Sequence, residues 1–157
     1  MKLLAPLLAL AVFVSSSAQA CLGDSESELL SRYGPQKKSG TSHLPGVAIR
    51  GYMYKGFLIV VGMLNGKSAF EMYTKKGGAA LTGPEVAALM TANAKGQTWA
   101  EDKGGTPDDA KWVLADGSVF AEWAKTPASQ LTVMTSEAQA LENTTPTPTA
   151  TPTPAKK

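Results

Sequence analysis

Three runs in the first half of the chain have the length and composition of β-strands. They cover residues 47–54, 57–64 and 67–74, and the pairs Lys55-Gly56 and Asn65-Gly66 separate them. Asn-Gly between two such runs is a strong hairpin signal, because the tight turns that suit twisted strands need positive φ angles. The pattern therefore predicts three consecutive antiparallel strands.

A register with Leu64 opposite Lys67 assigns each side chain of the second of these hairpins to one face of the sheet. One face is apolar enough to be the core and carries the pairs Met63:Ser68, Val61:Phe70, Ile59:Met72 and Phe57:Thr74. The other face is mixed and carries Leu58, Val60, Leu64, Lys67, Ala69, Glu71 and Tyr73. We therefore expect Tyr73 and Glu71 on the mixed face, opposite to the core.

Three more strand-like runs follow at residues 111–115, 118–123 and 130–135, the first two joined by Asp116-Gly117. The turn places one apolar set on a single face, namely Trp112, Leu114, Val119, Ala121 and Trp123, and sets Lys111 opposite Glu122 and Val113 opposite Phe120 on the other face. Large aromatic side chains bury much area, which favours a core role for the two indoles.

Two segments carry helix start and stop signals. Ser25 with Glu28 and Thr82 with Glu85 have the spacing of capping boxes, and Gly34-Pro35 and Lys95-Gly96 are typical helix ends. The order of elements predicts an α+β fold of two tandem helix-plus-three-strand units, which form an antiparallel sheet with the helices packed on one face. Similar spacings of glycines in the two halves suggest a weak repeat of residues 24–74 in residues 82–135.

Residues 27–35 read Ser-Glu-Leu-Leu-Ser-Arg-Tyr-Gly-Pro, a short helix that ends in Tyr-Gly-Pro before a β-meander. In this respect the chain resembles small bacterial envelope modules of the SmpA/BamE type and the related β-lactamase-inhibitor-protein fold. The resemblance covers residues 24–74 and, more loosely, 82–135. It implies a non-enzymatic module that presents a sheet face or loops to a protein partner.

The two ends of the chain differ in composition from the middle. Residues 1–20 have the positive start, apolar centre and Ala-Gln-Ala end of a signal peptide. We therefore expect a periplasmic or secreted protein, with an outer-membrane lipoprotein lipidated at Cys21 as the alternative. Residues 143–157 are rich in Thr and Pro, which predicts a disordered, extended tail. Residues 21–142 are left as one α+β domain.

Charge changes the picture drawn from the whole chain, whose formal net charge is +2. Residues 21–142 hold 12 basic and 13 acidic side chains, so the predicted domain is nearly neutral. Residues 32–95 carry nine bases and two acids, whereas residues 96–142 carry three bases and eight acids. Either these blocks pair within the fold, or they form two charged poles able to bind a charged partner.

The chain has one Cys and one His, which excludes a Cys-based zinc site and clusters of His ligands. None of the common catalytic motifs occurs, so we expect no enzyme, no metal and no cofactor. The leading hypothesis is an exported protein-binding or assembly module of the bacterial envelope, whose partner is another envelope or extracellular protein. We expect no nucleic-acid partner, and a membrane contact only if Cys21 is lipidated.

The candidate contact surface consists of aromatic, aliphatic and basic side chains on the first three predicted strands and the turn between the first two, namely Tyr52, Tyr54, Tyr73, Leu58, Arg50, Lys55 and Lys67. An alternative is binding of anionic lipid or polysaccharide through the basic block of residues 32–95. A hydrolase is a third, weaker hypothesis, since adjacent acids such as Asp108 and Asp109 sit in a Gly/Pro loop that is typically solvated.

Overall fold

The structure is a computed structural model that describes residues 22–145. The predicted signal peptide, Cys21 and residues 146–157 lie outside the described residues. The elements are α1 (Glu26–Tyr33), β1 (Lys38–Thr41), β2 (Ala48–Tyr54), β3 (Phe57–Leu64), β4 (Lys67–Lys75), α2 (Gly83–Asn93), β5 (Trp99–Glu101), β6 (Asp109–Leu114), β7 (Val119–Ala124), β8 (Gln130–Thr135) and α3 (Ser136–Thr144).

All eight strands form one antiparallel sheet in the order β1-β2-β3-β4-β8-β7-β6-β5. The prediction of two tandem helix-plus-three-strand units with the helices on one face is wrong. Two further strands extend the sheet, and the two four-stranded halves meet where β4 pairs with β8. The third helix, α3, packs beside Phe70, Met72 and Met134, on the face opposite to α1 and α2.

The two strands that the sequence pattern missed are the edges of the sheet. β1 is Lys-Ser-Gly-Thr with all four residues exposed, and β5 has three residues, of which only Trp99 is partly buried. Neither alternates between apolar and polar positions over enough residues to give a strand signal. Short, polar edge strands are also a common protection against pairing with other chains.

The predicted helix starts are confirmed. The Ser25 N–H donates to Glu28 Oε2 at 2.7 Å, and the Thr82 N–H donates to Glu85 Oε2 at 2.8 Å. α1 buries Leu29 and Tyr33 but leaves Leu30 55% exposed, while α2 buries Val86, Met90 and Asn93. Both helices therefore cover one face of the sheet. α3 extends through Thr144, so Asn143 and Thr144, which the sequence assigns to the tail, are helical.

The register predicted for the β3–β4 hairpin is correct at its turn and wrong beyond it. Leu64 faces Lys67 and Met63 faces Ser68, but a β-bulge leaves Ala69 unpaired and sets Gly62 opposite Phe70. Every later pair is displaced by one residue, so Ile59 faces Tyr73 and Val61 faces Glu71. Glu71 and Tyr73 consequently lie on the core face, at 0% and 1% exposure.

The β6–β7 hairpin confirms its predicted register. Lys111 pairs with Glu122, Trp112 with Ala121 and Val113 with Phe120. Leu114, Val119 and Ala121 are buried in the same core cluster as Ile59 and Val61 of the first half, and Trp112 and Trp123 pack against its edge. The core under α1 and α2 is therefore continuous across both halves of the sheet.

Candidate functional site

An open pocket lies between α2 and the β2–β4 part of the sheet, beside the end of α1. Its volume is about 240 Å³. The walls are mostly apolar, and the lining residues are Tyr33, Tyr54, Lys55, Phe57, Ile59, Tyr73, Glu85, Ala88, Leu89 and Ala92. We call it the tyrosine pocket, because tyrosines from α1, β2 and β4 form its floor and one wall.

A buried polar cluster supports the floor of the tyrosine pocket. The hydroxyl groups of Tyr33 and Tyr73 both donate to Oε2 of Glu71, the former at 2.9 Å. Asn93 of α2 donates from Nδ2 to the Tyr73 hydroxyl at 3.3 Å and to the Leu89 carbonyl at 3.1 Å. The cluster therefore links α1, β4 and α2 and fixes both tyrosine rings.

Burial controls the protonation of this cluster. It raises the pKa of the Glu71 carboxyl, although the hydrogen bonds from Tyr73 and Tyr33 and the charge of Arg32 act in the opposite direction. Burial and the neighbouring Glu71 raise the pKa of both tyrosine hydroxyls. The tyrosines therefore remain neutral donors over the physiological pH range.

The charged pair of Arg32 and Asp24 lies close enough to Glu71 for both charges to act on its carboxyl group. Arg32 and Asp24 form an ion pair at 2.5 Å between Nη2 and Oδ2, with their side chains 18% and 12% exposed. Among residues 22–145, Oε1 of Glu71 and Oδ1 of Asn93 are buried without a hydrogen-bond partner. Glu71 is sealed beneath the tyrosine rings, so the pocket itself presents hydrocarbon and ring surface.

Two charged groups stand at the rim. The Lys55 ammonium lies 5.2 Å from the centroid of the Tyr54 ring, within the range of a cation–π interaction. Glu85 accepts from Lys75 Nζ at 2.8 Å and also from Thr82. These hydrogen bonds, that from Lys75 first, lower the pKa of Glu85 to about 2. The rim thus combines a cation and a fixed carboxylate around an apolar opening.

The structure brings three of the seven predicted contact residues together, since Tyr54, Lys55 and Tyr73 all line the tyrosine pocket. Tyr73 contributes from below, however, and not from an exposed sheet face as the sequence suggested. Tyr52 is also buried, at 4% exposure, and its ring centroid lies 5.5 Å from that of Tyr33. It supports the pocket wall without lining it.

The other three predicted contact residues lie elsewhere. Leu58 is 39% exposed on the opposite sheet face. Arg50 pairs with Glu26 of α1 at 2.5 Å, and Lys67 lies 3.9 Å from Glu28. The acidic start of α1 thus faces basic residues of the sheet, and four of the nine bases in residues 32–95 form ion pairs with nearby acids, namely Arg32, Arg50, Lys67 and Lys75.

The sequence pattern did not indicate that Glu71 forms the centre of the buried cluster, or that Tyr33 and Leu89 line a pocket. Nothing in the pattern of either helix indicates a pocket between them. A lone acid in a strand of otherwise apolar and small residues, Ser-Ala-Phe-Glu-Met-Tyr, was the available signal for a buried carboxylate.

Two other classes of site are absent from the described residues. Residues 22–145 contain no group of three or more His, Cys, Asp or Glu side chains that could hold a metal ion. In the same range, each helix is too short or too polar to cross a bilayer. His43 is exposed in the loop before β2, away from the tyrosine pocket.

Comparisons with known proteins gave matches among solved structures only. No protein-family model matches the chain, and no curated protein sequence matches it. One similar structure is a cysteine-rich secretory protein from Staphylococcus aureus subsp. aureus Mu50, with 13% identity and a TM-score of 0.45 over 76% of this chain and 46% of that one. Another is an extracellular protein containing a SCP domain from Bacillus anthracis str. Ames, with 12% identity and a TM-score of 0.46 over 83% of this chain and 50% of that one. The chain therefore spans about half the length of each.

The resemblance to SmpA/BamE and β-lactamase-inhibitor-protein modules, inferred from residues 27–35, is wrong. The helix and its Tyr-Gly-Pro end are present, but the strands that follow belong to a single eight-stranded antiparallel sheet. Neither of the two similar structures named above is described as a member of either predicted group. A short helix with a glycine stop before a hairpin is common to many folds, so the motif did not identify one.

Proposed function

We propose that this chain is an exported, non-enzymatic binding module that recognises another envelope or extracellular protein by taking one large apolar side chain of that partner into the tyrosine pocket. Export is supported by the signal-like composition of residues 1–20. The observation that supports the binding proposal is the pocket itself, which is preformed, mostly apolar and flanked at its rim by the charged side chains of Lys55 and Glu85.

The size and lining of the pocket favour a protein side chain over a larger molecule. Pockets for small molecules and cofactors usually enclose about 300–1,000 Å³, whereas this one encloses about 240 Å³. Interfaces concentrate their binding energy where a few aromatic or apolar anchors fill well-packed pockets with a polar rim. Lys55 and Glu85 supply such a rim here.

The buried cluster prepares the pocket for binding. Hydrogen bonds to Glu71 hold Tyr33 and Tyr73 in place before any partner arrives, so little side-chain freedom is lost on association. The same arrangement supports a non-catalytic role, because both donors to Glu71 are already committed and its carboxylate lies below the pocket floor. A catalytic carboxylate has to reach the reacting atoms of a substrate.

The alternative of binding to anionic lipid or polysaccharide through residues 32–95 draws less support from the structure. Ion pairs with nearby acids neutralise part of this basic block, including Arg50 and Lys67. Recognition of a protein side chain depends instead on the shape of the pocket and not on net charge.

The test uses two neighbouring alanines of α2 that are both exposed. Ala88 lines the tyrosine pocket, whereas Ala87 points to the other side of the helix. A photo-crosslinking amino acid placed at position 88 of the full chain, in cells of the native host, should give a discrete adduct that is absent when the same group is placed at position 87.

The captured protein, identified by mass spectrometry and purified, then allows a quantitative comparison. Ala88→Phe fills the pocket and should weaken its binding by about 2 kcal/mol, the size of an interface hot spot. Ala87→Phe should bind like the native chain. Equal crosslinking at positions 87 and 88, or undiminished binding by the Ala88→Phe variant, would refute the proposal.

A further inference from the structure

A second apolar groove lies on the opposite flank of α2 from the tyrosine pocket. All three tryptophans of the chain line it, Trp99 from β5, Trp112 from β6 and Trp123 from β7. The exposed Ala87 and Thr91 of α2 form its other side, and its volume is about 330 Å³. We call it the tryptophan groove.

The groove is preformed. The Trp99 indole donates from Nε1 to the Met90 carbonyl at 2.9 Å, and the Trp123 indole donates to Ser129 Oγ at 3.2 Å. Each ring is thereby fixed at its polar end, while all three side chains remain only partly buried. The Lys125 ammonium lies 5.0 Å from the centroid of the Trp123 ring. The groove is thus a row of three partly exposed indoles, two of them fixed by hydrogen bonds and one in contact with a cation.

We propose that the Thr/Pro-rich segment of this same chain, residues 146–157, binds in the tryptophan groove. The segment reads Pro-Thr-Pro-Thr-Ala-Thr-Pro-Thr-Pro-Ala-Lys-Lys. Alternating prolines favour a polyproline helix, and aromatic-lined grooves recognise such segments because the ligand is already extended and loses little entropy. The occupant and the groove therefore have matching chemistry.

The segment starts close enough to reach the groove. Thr145, the last described residue, lines the same cavity as Trp112 and Asp102, near the β5 edge of the sheet. From there the path around the edge crosses about two strand spacings and one layer, or roughly 20 Å. Twelve residues of polyproline helix span about 37 Å, so the reach is sufficient.

Charge favours the same occupant. The segment ends in Lys156 and Lys157, whereas the β5 strand and the loop after it carry Glu101, Asp102 and Asp108, all exposed. Within residues 22–145, none of these three acids forms an ion pair. The acidic excess of residues 96–142 thus lies partly along the route that the segment would take.

Intrinsic fluorescence tests the proposal directly, because every tryptophan of the chain belongs to the groove. The native chain is compared with a variant that ends at Thr145, which keeps α3 whole, and far-ultraviolet circular dichroism checks that both are folded. Removal of the segment should shift the emission maximum to longer wavelength and increase quenching by acrylamide. A synthetic peptide of residues 146–157 should reverse both changes with saturation at about 1 mM or below, since tethering supplies effective concentrations of that order.

Two variants separate recognition of the segment from a general effect of its presence. A chain with alanine at Pro146, Pro148, Pro152 and Pro154 should resemble the truncated chain, and Ala87→Phe, which narrows the groove, should abolish the effect of the peptide. Ala88→Phe in the tyrosine pocket should leave it intact, so this result is independent of the proposed function. Identical emission and quenching in the native and truncated chains, or an alanine-substituted segment that protects the indoles fully, would overturn the proposal.

Discussion

Replacing Gly62 by Ala tests the β-bulge on which the tyrosine pocket depends. In the observed register Gly62 faces Phe70, whose ring lies directly over the glycine. A Cβ atom at position 62 would lie 2.0 Å from Cε1 and 2.4 Å from Cδ1 of Phe70. Glycine is required at position 62 because the ring approaches so closely, and not because the backbone adopts a conformation that only glycine favours.

The cost follows from this geometry. Ordinary van der Waals contact begins at about 3.4 Å, so the ring has to move by at least 1.4 Å from its position over Gly62. Inserting an extra carbon into a well-packed region typically costs about 1–3 kcal/mol. Phe70 is only partly buried and can tilt outwards, so we expect the lower part of this range, about 1–2 kcal/mol.

Chemical denaturation of four chains measures the effect: the native chain, Gly62→Ala, Phe70→Ala and the double variant. With Phe70 truncated, the alanine at position 62 has room, so the two substitutions should couple by about 1 kcal/mol or more. In the register without the bulge, Gly62 would face Ala69 and no such coupling would arise. A cost for Gly62→Ala that is the same with and without Phe70 would refute the bulged register.

Two further substitutions test the buried cluster and the start of α2. Because burial raises the pKa of Glu71, the folded state keeps its proton where the unfolded state has lost it, so the free energy of unfolding falls as pH rises above the ordinary value of 4.5. The limiting slope is about 1.4 kcal/mol per pH unit, and denaturation of Glu71→Gln at several pH values should show that slope removed; an unchanged slope contradicts the assignment. Thr82→Ala removes the cap of α2 and should cost about 1 kcal/mol in the same assay, whereas Thr91→Ala, exposed in the last turn of α2, should be nearly neutral, and equal effects would argue against the cap.

The two hairpins show what local sequence can and cannot determine. For β6 and β7, Asp116-Gly117 and strict alternation around Trp112 and Ala121 give the observed pairing, because nothing interrupts the ladder. For β3 and β4, the turn at Asn65-Gly66 is equally clear, yet the pairing changes after Ser68. The alternation of apolar residues in β4 allows either face to be buried, so the turn alone could not fix the register.

The edge strands were unpredictable for a different reason. β1 and β5 pair on one side only, and their residues are mostly exposed, so burial imposes no pattern on their sequences. The candidate site was half predictable for a related reason: Tyr54 and Lys55 follow from the β2–β3 turn, but the pocket wall formed by α2 depends on how that helix packs on the sheet. Packing of that kind leaves no periodic signal in either segment.

The burial of Glu71 depends on a segment far away in sequence. Where the bulge occurs, Ser68 forms two backbone hydrogen bonds with residues that precede α1. The Gly23 N–H donates to the Ser68 carbonyl at 2.7 Å, and the Ser68 N–H donates to the Asp24 carbonyl at 2.8 Å. β8 pairs with β4 only from Phe70 onwards, so residues 22–24 take its place beside Ser68.

These contacts satisfy the backbone groups of Ser68, which β8 does not reach, and they also place Asp24 in its ion pair with Arg32, beside Glu71. The bulge, the buried carboxylate and the charged pair next to it are therefore one arrangement, stabilised by a segment of about three residues at the start of the described chain. No local pattern in β4 contains this information, because the partner that selects the register lies 44 residues earlier, between Asp24 and Ser68. The tyrosine pocket thus exists because a non-local contact places Tyr73, and not Met72, on the face of the sheet that α2 covers.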